Sequence, residues 1–539
     1  MMSTINCRGG MNFVIFDLSK SLGGAETFDC RFIDYLVGLG DSVAVVGHQD
    51  SVIFGLLDAK SIKVRTYIIP EMDDFFVSPR EQSSLATLGQ QIIDDFLGEN
   101  IYVLASYFEV LHKAMHVFNG DKRVHISTGM LHPEAWSLWE PGAGLNASRA
   151  FKPKKIDRLW YYKRDLLSKL DHDKAIWYPN DIFRKYNENY FSLCLQHRAL
   201  ATVPVEPVAY SINYQVTTPE NILRVLWLGR FDFFKNESIF KFIDSLLDLL
   251  DKNKNLTICF DLIGYGAEIY ERELKSYAKQ VGDRLNIRFL GKMSETEIYG
   301  CVGVEKYHFA VAMGSSAYHL AMMGLPVLAI DSSAKGLRRL VKGVWLDEAT
   351  DEFDEGSSLY LMMIGEEPPQ RRDILDILFE VFDDGFLQRK SISCSEYVNR
   401  YHNIDLLLPK IRGYMLQSEF SDKATYKFER NLPDEFYHRF GDSSPLDIAI
   451  FGTGSGAEKF YDRIEAEKLS SGKVIRVKCF FDNNEKKHGE TFLGREIKRF
   501  SSEVTSDVDV IFVASDYWPE INCQLVSQGV KPEKIIRVY

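Results

Sequence analysis

Short apolar runs alternate with longer amphipathic stretches along almost the whole chain, and this alternation most limits the fold. Phe13–Phe16, Ser42–Val46, Val225–Leu228, Thr257–Ile263 and Val327–Ile330 are short and strongly apolar, and each is followed by a stretch with helical spacing. Such runs read as strands buried on both faces, and parallel neighbours need a crossover, usually a helix. The pattern therefore predicts βαβ units and an α/β class built on parallel sheets. At 539 residues the chain has room for three or four domains. Residues 1–10 are expected to be disordered. A first block runs over 11–209. Residues 206–221, rich in Pro and Thr, read as a linker into a second block over 222–440, which turns mostly helical after about 345. The turn-rich Gly441–Pro445 precedes a third sheet, over 446–539.

Charge excludes some functions. The formal net charge is −12, so a coat for nucleic acid, which needs a net basic face, is not expected. No run of some 18 apolar residues predicts a transmembrane helix. Met1–Gly10 lacks the apolar run of a signal peptide. The eight cysteines are scattered with no C-x-x-C pair, which reads as reduced thiols in the cytoplasm and no zinc site.

Four strand ends carry candidate chemistry. The run Phe13–Phe16 feeds a loop, then Gly23-Gly24-Ala25-Glu26 and a helix start. Backbone amides and a helix dipole there suit an anion, and a plain tight turn fits equally well. Val225–Leu228 ends in Gly229-Arg230, with Lys235 five residues on. Both cations fall at the carboxyl end of a parallel strand, where α/β proteins bind ligands, and Arg is shaped to fork onto phosphate. Ile258–Ile263 ends in Gly264-Tyr265-Gly266, Ile287–Leu290 ends in Gly291-Lys292, and Met313-Gly314-Ser315-Ser316 opens a helix that leads to Gly324-Leu325-Pro326-Val327. These ends converge on one cleft.

The order of these motifs resembles the GT-B glycosyltransferases of the large retaining family four, over about residues 11–430. The matching residues are Gly23-Gly24-Ala25-Glu26, Gly229-Arg230 with Lys235, Leu262–Gly266, Phe289-Leu290-Gly291, Ala321–Val327 and Asp173–Asn180. The resemblance implies two Rossmann-like domains facing a cleft, with Arg230 and Lys235 neutralising a departing nucleotide diphosphate and no metal or cofactor required. It implies that Gly23 and Gly24 approach the same phosphates. It places Lys292 near the nucleotide base, and Gly264, Gly266, Gly314, Ser315, Ser316 and His319 on the donor. The family carries two glutamates eight residues apart before Gly-Leu-Pro-Val. Here Val311 and His319 occupy those positions, which leaves both the activity and its stereochemical outcome open.

On the acceptor side, Arg123–Met130 reads as a strand running into a loop that carries His132, the first choice for a cleft histidine. His125 within the strand reads as a packing residue. His112 and His116, one helical turn apart, lack a third metal ligand. Residues 152–169 carry a net charge of +5 with Trp160, Tyr161 and Tyr162 interleaved. That mix suits an anionic membrane or a lipid-diphosphate acceptor, and it equally suits a solvated helix face with buried aromatics.

In the third block, Ile448–Phe451 leads into Gly452-Thr453-Gly454-Ser455-Gly456-Ala457, and the next strand, Val477–Phe481, ends in Asp482. A glycine loop with a carboxylate on the next strand end is a nucleotide-binding arrangement. The segment from Phe480 to Ile497 resembles the small Rossmann-like domains of sugar acyltransferases. The implied function is sugar transfer from a nucleotide-sugar to a glycan or lipid-linked acceptor in surface polysaccharide biosynthesis, at the cytoplasmic face of a membrane. A non-catalytic nucleotide-sugar-binding or scaffold protein and a GT-B-type epimerase are the alternatives.

Overall fold

The computed structural model describes residues 10–20, 23–71, 79–97, 99–130, 136, 158–202, 204–205, 216–281, 285–333, 338–349, 371–422, 445–471, 474–501, 507–515 and 518–538. They hold three six-stranded sheets. The chain divides into two compact units, one of Met1–Thr66, Glu99–Leu111 and Lys122–Ser421, the other of Tyr67–Gly98, His112–Asp121 and Asp422–Tyr539.

The first sheet is formed by β1 (Asn12–Phe16), β2 (Ser42–Gly47), β3 (Arg65–Ile68), β4 (Ile101–Ala105), β5 (Val124–Gly129) and β6 (Ile176–Trp177). Its helices are α1 (Gly24–Gly38), α2 (Val52–Ala59), α3 (Pro79–Asp95), α4 (Phe108–Phe118), α5 (Arg158–His172) and α6 (Asp181–Phe191). The strand order is β3-β2-β1-β4-β5-β6. The five residues of β1 are all buried, as a central parallel strand covered on both faces requires.

The second sheet uses β7 (Ile222–Leu228), β8 (Thr257–Ile263), β9 (Leu285–Gly291), β10 (Phe309–Ala312), β11 (Val327–Ile330) and β12 (Gly343–Trp345). Its helices are α7 (Phe233–Lys252), α8 (Glu268–Ala278), α9 (Glu295–Glu305) and α10 (Ser315–Met322). The order is β12-β11-β10-β7-β8-β9, the same doubly wound plan with an antiparallel edge strand β12. In both sheets the order reverses beside the first strand. That reversal opens a crevice at the carboxyl ends of β1 and β4, and another at those of β7 and β10.

Three helices follow: α11 (Ile374–Glu380), α12 (Phe386–Tyr401) and α13 (Ile404–Gln417). The sequence groups all three with the second block, but they divide between two cores. Cys394, Tyr397 and Val398 of α12 join the second-sheet core. Leu408, Ile411 and Met415 of α13 instead join Phe13, Ile15, Phe32 and Val45 in the first. Arg412 seals the return with a two-pronged contact to Asp41, at 2.8 and 3.0 Å. The apolar stripe of α13 is generic, so only the tertiary match decides which core it fills.

The third sheet has the order β15-β16-β14-β13-β17-β18. Its strands are β13 (Leu446–Phe451), β14 (Ile475–Phe481), β15 (Thr491–Phe492), β16 (Arg495–Lys498), β17 (Val510–Val513) and β18 (Ile535–Arg537). Its helices include α14 (Ser455–Ser471) and α15 (Trp518–Ser527). Two buried clusters lie in this block, one led by Ile448, Phe460, Phe480 and Phe512, the other by Phe451, Phe481, Ile511 and Leu525.

Candidate active site

The second-sheet crevice is built by three strand ends zipped together past their regular ladder. The Gly229 amide donates to the Ile263 carbonyl at 3.1 Å, Phe231 to Tyr265 at 2.9 Å, and Gly264 to Gly291 at 2.9 Å. Two glycines are required by this closeness. A Cβ on Gly264 would lie 2.0 Å from the Gly229 carbonyl oxygen, and one on Gly266 would lie 2.0 Å from that of Phe231. Their missing side chains serve backbone packing that fixes where the chain leaves β7. That exit carries Arg230, which is exposed, and Lys235, half-buried in the first turns of α7.

The neighbouring strand end belongs to β10, whose Ala312 pairs with Leu228. Only Met313 and Gly314 separate β10 from α10. Gly314 has φ +56, a conformation glycine adopts without strain. Ser315 and Ser316 follow at the helix start. Val311 lies inside β10 and is fully buried, so counting along the sequence lands in the strand, and the short turn after it holds no carboxylate. His319 lies on α10, its Nε2 3.8 Å from Glu295 Oε1 at the start of α9. Lys292, just past β9, stands over the Tyr265 ring at 4.8 Å.

The first-sheet crevice is acidic. Asp17 follows β1, and Glu26 and Asp29 lie on the first turns of α1. All three are buried. Burial, helped by Glu26 and opposed by the Ser19 amide, pushes the Asp17 carboxyl up to about 6. Burial and the charges of Asp17 and Glu26 push Asp29 well above the carboxylate range. Tyr107, just past β4, is raised by burial and then by Glu26, Asp29 and Asp17, and eased by the Arg230 guanidinium. Tyr107 thus stands near the acids of the first crevice and near Arg230 of the second. The carboxylates were legible in part. Glu26 belongs to the Gly23-Gly24-Ala25-Glu26 motif, Glu26 and Asp29 are spaced i, i+3 on one helix face, and Asp17 directly follows a strand.

Gly23 and Gly24 open α1 beside this cluster, and a Cβ on Gly23 would approach Glu26 Oε2 to 2.8 Å. Buried acid therefore lies beside these glycines. His132 lies outside the described residues, as do 152–157 of the basic stretch. Within that stretch Lys163 is buried, 4.2 Å above the Phe108 ring and 3.9 Å from Glu109. His125 stacks on Tyr102 with ring centroids 5.3 Å apart. His116 Nδ1 donates to Gln82 Oε1 at 2.6 Å, and burial lowers the pKa of the ring to about 4. Among the described residues no group of three or more His, Cys, Asp or Glu is placed to hold a metal ion. No described helix is long and apolar enough to cross a membrane.

In the third block Gly452 has φ +114, and a Cβ there would meet the Ala514 carbonyl at 2.7 Å, whereas one on Gly454 meets nothing within 4 Å. Asp482 is already engaged. Its carboxylate accepts from the Thr453 hydroxyl, from the Asn484 amide at 2.8 Å and from Lys487 at 3.3 Å. Burial works against its ionisation, but these donors hold it below its ordinary value. Oδ2 already takes both Thr453 and Lys487, while among the described residues Oδ1 takes only the Asn484 amide.

Comparison with known proteins agrees with this architecture. Residues 446–536 match the family described as C2185-like, N-terminal. No curated protein matches the chain in sequence. Among solved structures, a glycosyltransferase from Rickettsia africae is similar at 10% identity, over 76% of this chain and 98% of that one, with a TM-score of 0.52. Anabaena HepE, solved with UDP and glucose, is similar at 12% identity over 75% and 99%, with a TM-score of 0.46. A Listeria monocytogenes protein assigned as a UDP-N-acetylglucosamine 2-epimerase is similar at 8% identity over 78% and 100%, with a TM-score of 0.42.

Proposed function

We infer the function of this chain from the GT-B architecture of its first two sheets, a fold shared with the Rickettsia africae glycosyltransferase. From this premise we propose that the chain is a glycosyltransferase that moves a sugar from a nucleoside-diphosphate donor to a hydroxylated acceptor. The observation that carries the reading is the pairing of unlike crevices. One presents Arg230 and Lys235, and the other presents buried acid. Cleaving a sugar–phosphate bond leaves negative charge on the diphosphate, and preorganised cations facing that charge lower the barrier. Arg230 forks onto phosphate oxygens and Lys235 adds a mobile positive charge. In this reading the two cations suffice without a divalent ion. Amides at the start of α10, with Ser315 and Ser316, hold the distal part of the donor. The acidic crevice, hostile to phosphate, takes the acceptor.

We assign the acceptor to the glycans and lipid-linked glycans of surface polysaccharide assembly, and residues 152–169 to contact with an anionic membrane at its cytoplasmic face. Lys154→Glu with Lys155→Glu should then lower sedimentation with anionic vesicles, and unchanged sedimentation removes the membrane contact. A second reading, nucleotide-sugar binding without transfer, is favoured by the turn Met313-Gly314, which holds no carboxylate. Thermal shift with a panel of UDP-, GDP- and dTDP-sugars, followed by nucleotide release with lipid-linked acceptors, separates the two. The double variant Arg230→Ala, Lys235→Ala should weaken donor binding by about a hundredfold, from roughly 1.5 kcal/mol per lost charged contact. Undiminished binding defeats the proposed diphosphate site.

A further inference from the structure

Buried carboxylates without a counter-ion cost stability, because burial favours the neutral form and like charges add to the penalty. Asp17 and Asp29 carry that cost at 5% and 2% exposure, beside Glu26 at 6%. Among the described residues none of the three has an ion-pair partner. Asp17 Oδ1 accepts from the Ser19 amide. Asp17 Oδ2 and Asp29 Oδ1 are buried and accept from nothing. A separate, uncharged group points the same way. Ser106, 2% exposed at the end of β4, has its hydroxyl close enough to Asp29 to ease that carboxyl, yet forms no well-shaped hydrogen bond. These groups come from β1, α1 and β4, and so they stand at the crevice where the strand order reverses. Among the described residues a Cβ on Gly24 would meet nothing within 4 Å.

We propose that Asp17, Glu26, Asp29 and Ser106 form a binding site for a primary ammonium group on a small hydroxylated ligand, of which an amino sugar is the type. An ammonium brings three donors and one positive charge. Asp17 Oδ2, Asp29 Oδ1 and the Ser106 hydroxyl are three buried oxygens without a donor, and Glu26 completes the negative field. The three carboxylates are not placed as metal ligands. Among the described residues Tyr107, past β4, faces the cluster, and Arg230, past β7, acts on Tyr107. As the acceptor subsite, this site rests on the transferase reading. As an ammonium site, it is testable without turnover.

The test uses the full chain and three probes: glucosamine, glucose and ethanolamine. Calorimetry near pH 6 in buffers of different ionisation enthalpy should show glucosamine binding with release of protons, because a bound cation favours the ionised carboxylates. Asp29→Asn, which keeps the shape and removes a carboxyl that a bound cation would ionise, should fold normally and bind glucosamine about tenfold more weakly. Gly24→Ala, which narrows the mouth without touching the acids, should weaken glucosamine as well. Binding of ethanolamine as tight as that of glucosamine supports an ammonium site that lipid headgroups share, and tighter glucosamine supports the sugar. Glucosamine binding no tighter than glucose, or binding without proton release, overturns the proposal. UDP binding measured in parallel keeps the two readings apart, because it probes Arg230 and Lys235 and not this cluster.

Discussion

At the scale of single residues, the acids at the end of β1 set function against stability. The native Asp17 carboxyl is raised from 3.8 to about 6. Between those values the unfolded chain has released this proton and the native chain has not. Stability is therefore lost as pH rises through that window, and the loss is complete above it. A shift of this size corresponds to about 3 kcal/mol. Asp17→Asn should thus unfold at a higher temperature than the parent above pH 6, by up to about 3 kcal/mol. The gain should shrink toward zero near pH 4, and thermal melts across that range check it. An equal gain at every pH would mean that a packing change, and not the buried charge, is responsible. The reason Asp17 was passed over is physical. One acid after one strand is ordinary, and its significance comes from Glu26, Asp29 and Tyr107, which only folding brings alongside. Arg230, by contrast, is legible in the sequence, because a strand followed by Gly-Arg places the side chain at a strand end whatever the rest of the fold does.

At the scale of elements, the strands are the most legible part of the molecule, because burial on both faces leaves an unbroken apolar run. The turns between strands and helices are the least legible. Gly264, Gly266 and Gly454 read alike in sequence, yet they do different work. The first two abut the backbone of the β7 exit, and the third faces open space. Gly264→Ala should lower stability by about 2 kcal/mol, since an overpacked backbone has to move. It should also weaken donor binding by displacing Arg230. Gly454→Ala should leave the melting temperature within about 0.5 kcal/mol of the parent, as expected away from any such contact. Urea melts of the two variants side by side test the contrast. Equal losses would refute the packing account of Gly264. The turn before α10 shows the same limit. Counting residues puts Val311 at a glutamate position, and only the structure shows that this position is the penultimate residue of β10 and fully buried.

At the scale of the whole molecule, the chain crosses from the first sheet to the second and then returns. The two crossings run side by side, with Val205 donating to the His402 carbonyl at 2.8 Å and Ile404 donating to Val205 at 3.3 Å. The return delivers α13 into the first core, and the segment after it continues the work. The Ile126 amide donates to the Phe420 carbonyl at 2.8 Å, and the Ser418 hydroxyl to the Ile126 carbonyl at 2.8 Å. The first block is therefore incomplete over 11–209 alone. A fragment ending at 209 would expose Phe13, Ile15 and Val45 where Leu408, Ile411 and Met415 cover them. Three aliphatic side chains at about 2 kcal/mol each amount to some 6 kcal/mol, comparable to the whole stability of a domain. The fragment 10–209 should therefore be unfolded or aggregated, while 10–421 should unfold cooperatively. The third block differs, because its two clusters draw only on residues between 446 and 538, and about 95 residues can bury a sufficient core. Expressed alone, 445–539 should give a sigmoidal denaturant transition and dispersed amide resonances. If 10–209 folds as cooperatively as 10–421, α13 is an ornament on the first core and not part of it.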